Sequence, residues 1–557
     1  MSSDSLLKYG WEIKTEPEVR VQLGGVKEGQ SVVEESPKGS DKSKRASNGA
    51  DNADNKQKDR DMGGNGESDE RDSGQRRITD VFLGSGILLS GLAVDVIRER
   101  RIDPHKIIER AREKNVFLVT KEFVEEFFPE EGREEFSFVV KKGRPALAST
   151  IEARIEIDRA KDITGNSISE GTVKNFIDLF RDRYKRLRNI LMNRVNLKDA
   201  VDIENLSKYQ NQEVKVIGMV RQLRRSKNNN QLIEIEDPTG TVLVVDSSDA
   251  AKRRTILVED EVIGVVGVPK GDLFLAKEII EPDIPMTKQP AECEDPVSIA
   301  FTSDIHVGSL LFKEREFRRF LDWLNLRGNG NRREVAESIK YLFIAGDLVD
   351  GIGIYPGQES ELAIPDIYKQ YNYLSRLMEE IPSYIEVIVA AGNHDAVRRA
   401  EPQPSLAHFL EPLEELPNFH LVGNPAHVRV HGVDVLMYHG TSMDALISAL
   451  PHLSYDKPER AQVEYLKKRH LSPIYGTKEQ IAPEEKDYMV IDFVPDVFHC
   501  GHVHKNGYAN YRGIRIINSG TWQAQTDYQQ QQGHIPTPCQ VPILDLQSMQ
   551  MRQINFA

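Results

Sequence analysis

From Pro296 onward, strand-like apolar runs alternate with helical ones, and five of the apolar runs break off into the same kind of residue. VSIAFTSDIH ends in Asp304 and His306, and YLFIAGDLVDG in Asp347 and Asp350. EVIVAAGNHDA ends in Asn393, His394 and Asp395, VDVLMYHGTS carries His439, and PDVFHCGHVH ends in His502 and His504. Buried strands of a layered α/β fold bring their carboxyl ends to one edge of a sheet, where the sites of such proteins gather. The pattern therefore predicts a multidomain α/β protein whose last domain is a layered α/β unit. Residues as far apart as Asp304 and His504 meet in it.

Asp, His and Asn make a mixed oxygen and nitrogen donor set, which suits Mn, Fe or Zn rather than Ca or Mg alone. Asp304, His306, Asp347, Asn393, His439, His502 and His504 are too many for one ion and suit two ions sharing a bridging carboxylate. Two metals about 3.5–4 Å apart can generate a hydroxide and clamp both oxygens of a phosphoryl displacement. A lone D-x-H or GNH fits a turn with a satisfied core histidine, so the ordered set carries the signal. In FHCGHVH, Cys500 has no partner cysteine at zinc-finger spacing. Alternate residues of an extended stretch share a face, which groups His502 with His504 and leaves His499, like Cys500, as a supporting strand residue.

A chain of 557 residues is too long for one core. With 39% hydrophobic and 29% charged residues and a net charge of -14, it reads as soluble and acidic, which argues against binding nucleic acid over its whole surface but not against local basic patches. Three scattered cysteines, Cys293, Cys500 and Cys539, do not make a disulfide framework and favour a reducing, cytoplasmic setting. The N-terminus has no signal-peptide layout. The run Val81 to Ile97 is short for a membrane span and contains Asp95, so it is expected as a buried helical segment and no membrane partner is expected.

Between Trp11 and Phe82 there is no aromatic residue, and residues 26–77 read as a disordered polar linker after a short segment over 1–25. Residues 78–135 predict a small helical domain, with Asp103 and Thr120 as N-caps and Pro104 at a first helical position. Within 136–195, a linker leads into an amphipathic helix with Val173, Phe176, Phe180, Tyr184, Leu187 and Leu191 on one face. Its other face carries Lys174, Arg181, Arg183, Lys185, Arg186 and Arg188, either solvated or contacting nucleic acid or a partner. Over 196–292 the period becomes that of short strands with a DPTG turn at Asp237–Gly240, which predicts an OB-like β-barrel. Arg224, Arg225 and Lys227 beside it fit single-stranded nucleic acid; docking of a protein is the other use of such a barrel.

DIH, GDLVD, GNHD, the isolated HG and GHVH, in this order, resemble the five motifs of the calcineurin-like metallophosphoesterase superfamily. The resemblance implies a central β-sandwich flanked by helices over 293–557. It implies Asp304, His306 and His504 on a first metal, Asp347 as the bridge, and Asn393, His439 and His502 on a second. His394 is then the histidine that stabilises or protonates the leaving oxygen, with Asp395 orienting it. Asp350 either orients a ligand or caps a helix.

VGNPAHVRVHGVDVLMYHGTSMD, LKKRHLSPIYG, IAPEEKDYMVID and INSGTWQAQT are similar to stretches in the small subunits of archaeal D-family DNA polymerases, and the similarity runs from about residue 80. That family implies a 3′→5′ exonuclease with two divalent ions (Mn first; Fe, Zn or Mg as alternatives). It acts on single-stranded or mismatched 3′ ends of DNA and proofreads for a separate large catalytic polymerase subunit. The eukaryotic B-subunits share the architecture without the ligands; here all five motifs stand, so an active site is expected rather than a scaffold. The rival within the superfamily is a phosphatase. Lys468, Arg469 and Tyr475 in LKKRHLSPIYG fit a DNA contact or a solvated loop with Tyr475 packed. QRRITDVF resembles the sliding-clamp (PCNA) box through Gln75, Ile78 and Phe82, with Val81 where the first aromatic should stand. The competing reading places Ile78, Val81 and Phe82 in the helical domain's core.

Overall fold

The computed structural model describes residues 81–82, 85, 87–90, 93–94, 96–97, 102–114, 116–127, 145–228, 230–246, 256–286, 288, 291–327 and 332–557. The expected N-terminal segment, the polar linker, Gln75 and Ile78 lie outside them. The described residues fall into two compact units, 81–127 and 145–557.

In the smaller unit, the helix Pro104–Glu113 starts where Asp103 accepts from His105 N at 3.0 Å. The helix Lys121–Phe127 starts where Thr120 accepts from Phe123 N. The apolar run 81–97 is not one helical segment: Leu88–Leu89 (β1) pairs in parallel with Leu118–Val119 (β2). Phe82, Ile87, Ile97, Ile107, Val119 and Phe123 close this core. Phe82 is 1% exposed, which corrects its expected use as a clamp-binding plug, because a ring packed in a core is not free to enter another protein.

The larger unit begins with a correction. The segment ahead of the long helix is not all linker, because Ile155–Ile157 (β3) adds an edge strand to the last domain by pairing with residues Val428–Val430. The helix Val173–Met192 follows, opened by a reciprocal bond between Thr172 and Asn175. Its apolar face buries Phe180, Tyr184, Leu187 and Leu191 against Ile217, Met219, Val262 and Val266. Its basic face is divided: Lys174 and Lys185 are exposed, while Arg183, Arg186 and Arg188 turn to acidic partners. Arg183 is fully buried with Nε 2.8 Å from Asp487 Oδ2. Arg186 joins Asp182 at 3.2 Å and Asp492 at 2.8 Å, and Arg188 lies 3.4 Å from Asp202.

Five strands then close a barrel: β4 (Val214–Arg225), β5 (Gln231–Asp237), β6 (Gly240–Asp246), β7 (Val262–Lys270) and β8 (Leu273–Ile280), in the order β4-β5-β6-β8-β7. The DPTG turn links β5 to β6, with Asp237 Oδ1 accepting from Thr239 N at 2.8 Å and Gly240 N at 3.0 Å.

The last domain is built from β9 (Ser298–Thr302), β10 (Ile339–Ala345), β11 (Glu386–Ala390), β12 (Phe419–Leu421), β13 (Ala426–Val430) and β14 (Val433–Met437). It is completed by β15 (Val497–Cys500), β16 (Gly507–Tyr511), β17 (Ile514–Asn518), β18 (Gln540–Asp545) and β19 (Met551–Asn555). One sheet runs β12-β11-β10-β9-β18-β19 and the other β16-β17-β15-β14-β13-β3. The two sheets share a core that includes Ile299, Phe301, Phe343, Ile388, Val428, Val435, Val497 and Ile517. Strands β9 and β10 are buried at every residue, which is why they read as continuous apolar runs rather than alternating ones. The parallel strands β9, β10 and β11 of one sheet, and β14 and β15 of the other, end at a common edge.

Candidate active site

Each strand end delivers its polar residues within a few positions of the last strand residue. The loop after β9 is tied to the loop after β10, with Asp304 N donating to Gly346 O at 2.9 Å and Ile305 N to Asp347 O at 2.8 Å. Here the backbone turns left-handed: φ is +52° at Asp304, +54° at His306, +50° at Asp347, +68° at His502 and +53° at His504. Side chains avoid that region by roughly 1–2 kcal/mol per residue. Five such residues at one edge are strain of the kind that gathers at functional sites. His502 and His504 therefore do not lie on an extended strand, as their spacing predicts; β15 ends at Cys500, and the turn separates the two rings.

Two groups hold the expected ligands: Asp304, His306 and His504 in the first, and Asp347, His439 and His502 in the second. A third, His306, Asp350 and His394, shares His306 with the first. His504 Nε2 lies 3.5 Å from Asp304 Oδ1 and 3.0 Å from His306 Nε2. In the second group, His439 Nε2 is 3.0 Å from Asn393 Oδ1 and 3.4 Å from Asp347 Oδ2. The same Asp347 oxygen is 3.9 Å from His306 Nε2 in the first group. Gly392 makes room for this carboxylate: a Cβ there would meet Asp347 Oδ1 at 2.2 Å.

These residues fit divalent cations. Asp304 Oδ1 is buried without a hydrogen-bond partner. His439 Nδ1 donates to the Ala345 carbonyl at 2.7 Å and His306 Nδ1 to Asp350 at 3.0 Å, so in the neutral ring each Nε2 carries the lone pair, and a cation there would displace any proton on it. Burial would raise the Asp347 carboxyl, but His439 and His394 hold it well below the ordinary range. Burial would depress His439, but Asp347 lifts it to about 10. The cluster thus favours positive charge.

One expected role changes, and one left open is filled. Asp395 does not orient His394: it accepts from Gly392 N at 2.9 Å, Leu348 N at 3.2 Å and Tyr371 OH at 3.1 Å, shaping the loop instead. His394 is held by Asp350, whose carbonyl accepts from its Nδ1 at 2.8 Å, and by Asp347 Oδ1, which accepts from its backbone N at 2.8 Å. Of the two roles left open for Asp350, the structure shows it orienting a candidate ligand, His306. His499 is fully buried with Nε2 2.9 Å from Ser519 Oγ, a strand residue beneath the site.

A calcineurin-like phosphoesterase model matches residues 297–506, the span that holds every donor named above. A DNA polymerase II small subunit from Archaeoglobus fulgidus is 42% identical over 429 residues, covering 77% of this chain and 86% of the relative. That from Methanothermobacter thermautotrophicus is 38% identical over 484 residues, covering 85% and 98%. The chain belongs to the DNA polymerase II small-subunit family. Among solved structures, an archaeal phosphodiesterase aligns with 46% of the chain and 99% of its own length at 14% identity, with a TM-score of 0.25. The phosphoesterase match lies in the second half of this chain, and that class of domain uses divalent metal ions.

The remaining basic residues divide within this small-subunit chain. Arg224, Arg225 and Lys227 are exposed at the end of β4 and just beyond it. Lys468 and Arg469 are not at a DNA surface, which corrects the expected contact. Lys468 is 1% exposed with Nζ 2.8 Å from Glu261, and Arg469 is 3% exposed with Nε 2.7 Å from Ile491 O. The ring of Tyr475 packs on Phe176 and Phe180, the packed alternative of the two readings. Sequence reasoning assigned no role to Asp444, 3.4 Å from His502 Nε2, to Gln529, 2.9 Å from His504 Nδ1, or to Gln523, 3.0 Å from Asp350. Gln523 and Asp444 stand inside stretches that resemble the family, so a signal was present without a role attached. No helix among the described residues is long and apolar enough to cross a membrane.

Proposed function

We propose that this chain is the 3′→5′ proofreading exodeoxyribonuclease subunit of a two-subunit replicative DNA polymerase, with synthesis carried by a separate large subunit. The observation that supports it most is Asp347, one of whose oxygens faces both donor groups, 3.4 Å from His439 Nε2 and 3.9 Å from His306 Nε2. Asp304, His306 and His504 would share it on one ion, and Asn393, His439 and His502 on the other. Bound there, divalent ions (Mn best suited; Fe, Zn or Mg as alternatives) would supply Lewis acidity to a phosphate oxygen and lower the pKa of a water.

The chain's own residues supply the rest. Asp350 fixes His394 through Nδ1, leaving Nε2 as the atom that would take a proton from the attacking water and return it to the leaving 3′ oxygen. The barrel order β4-β5-β6-β8-β7 supports an OB fold, and exposed Arg224, Arg225 and Lys227 suit the backbone of a single strand. The intact donor set favours this reading over a non-catalytic scaffold, and the barrel with its polymerase-subunit relatives favours it over a phosphatase.

The test is an exonuclease assay with Mn²⁺ on matched and mismatched primer ends, with and without the large subunit. The wild type is expected to shorten mismatched 3′ ends, and Asp347→Ala to lose that activity while keeping its circular dichroism spectrum. A wild-type protein that shortens no 3′ end under either condition overturns the proposal.

A further inference from the structure

Resting on the hydrolytic reading above, we propose that Tyr455 and Tyr528 form a stacking platform for the unpaired base at the 3′ end of the strand being cut. Both rings are open: Tyr528 is 69% exposed and Tyr455 38%, with Ile535 beside this rim at 65%. Tyr455 bonds a residue at one donor group, and Tyr528 adjoins in sequence a residue bonded to the other. Tyr455 OH donates to Asp444 Oδ1 at 3.1 Å, and the same oxygen is 3.4 Å from His502 Nε2. Tyr528 neighbours Gln529, whose Nε2 lies 2.9 Å from His504 Nδ1, on a short helix capped by Thr526. His534 ties the two segments, with Nε2 2.7 Å from Val503 O and its ring 5.8 Å from that of Tyr455. Lys505 Nζ adds a bond to Ile535 O at 2.8 Å.

Exposed aromatics held this close to a reactive centre mark a ligand surface rather than ordinary surface apolarity. The ligand chemistry follows from position. A phosphodiester held at the donor groups brings its own nucleobase to their rim, and every base offers a π-face. Lys478, exposed beside Asp444, adds a cation for the strand's backbone. Stacking does not distinguish one base from another, but it does require a base that has left the duplex stack. The platform would therefore select frayed or mismatched ends by their lack of pairing, whatever the sequence. A protein segment covering the same rim is the competing occupant.

The experiment uses the full chain with Mn²⁺ and a single-stranded oligonucleotide carrying 2-aminopurine at its 3′ end. A parallel assay compares cleavage of base-bearing and abasic 3′ ends. The wild type is expected to quench the fluorophore and to prefer the base-bearing end by roughly tenfold in kcat/KM. Tyr455→Leu with Tyr528→Leu should lose the quenching and most of the preference. Tyr455→Phe with Tyr528→Phe should keep both, which separates ring stacking from the hydroxyl bond to Asp444. Unchanged quenching and preference in the double Leu variant overturn the platform and point to the protein occupant. Quenching by the wild type without cleavage overturns the hydrolytic reading and leaves the platform standing.

Discussion

Asp350 serves two histidines with two different atoms: its carboxylate fixes His306 and its carbonyl fixes His394. Gln523 and Gln358 in turn hold the carboxylate, at 3.0 and 3.3 Å. Partners of this kind set which ring nitrogen is free and typically change metal affinity by 10–100-fold. Asp350→Ala is therefore expected to weaken metal binding by about that factor, measured by titration calorimetry with Mn²⁺. Unchanged affinity would show that His306 is oriented by its backbone alone. At this scale the sequence is informative about ligand type and poor about pairing. Asp395 stands next to His394 in the chain, and yet its carboxylate bonds the backbone N of Gly392 and Leu348. Adjacent side chains leave a turn in different directions, which spacing cannot reveal.

The helix Val173–Met192 shows the same limit for an element. Its 3.6-residue period correctly marks the face that packs on the barrel. Arg183 and Arg186 read as a surface because their acidic partners, Asp487 and Asp492, lie about 300 positions away. Beside them, His470 Nε2 is 2.9 Å from Asp487 Oδ2, and its Nδ1 accepts from Ser472 N at 3.0 Å, so both nitrogens are committed in the neutral form. Burial first, then the Arg183 charge, push His470 from 6.5 down to about 4. Between those values the unfolded chain binds a proton that the folded chain refuses. The stabilisation is thus complete above pH 6.5 and is lost as pH falls toward 4, amounting to about 3 kcal/mol over that window. Urea unfolding of the wild type should weaken from pH 6.5 to pH 4, and His470→Gln should flatten that slope. An identical slope in the variant would exclude His470 as its source.

Across the whole 145–557 unit, barrel and sandwich are joined by a buried charge cluster. Lys468, from the sandwich domain, lies 2.8 Å from Glu261 at the start of β7, 3.3 Å from Glu281 and 3.9 Å from Glu464. Burial already pushes Glu261 up to about 7 despite the lysine. Removing one partner of a buried pair costs roughly 3–5 kcal/mol, because the remaining charge stays uncompensated. Lys468→Met is expected to lower stability by about that amount and to separate the melting of barrel and sandwich in calorimetry. A single transition at the wild-type temperature would mean that apolar packing alone holds them together.

By itself the sequence determined the candidate donor residues and the layered α/β class, because strand length, apolar continuity and residue type are local properties. It also determined the barrel's DPTG turn and the capped helix starts, which need only neighbours a few positions apart. The tertiary structure alone decided which carboxylate serves which histidine, that Phe82, Arg183, Lys468 and Arg469 are interior, and that Tyr455 bonds Asp444 beside His502. The physical reason is that a charged or aromatic side chain takes its role from whatever faces it. In this chain those opposing groups come from strands and loops that only the fold brings together.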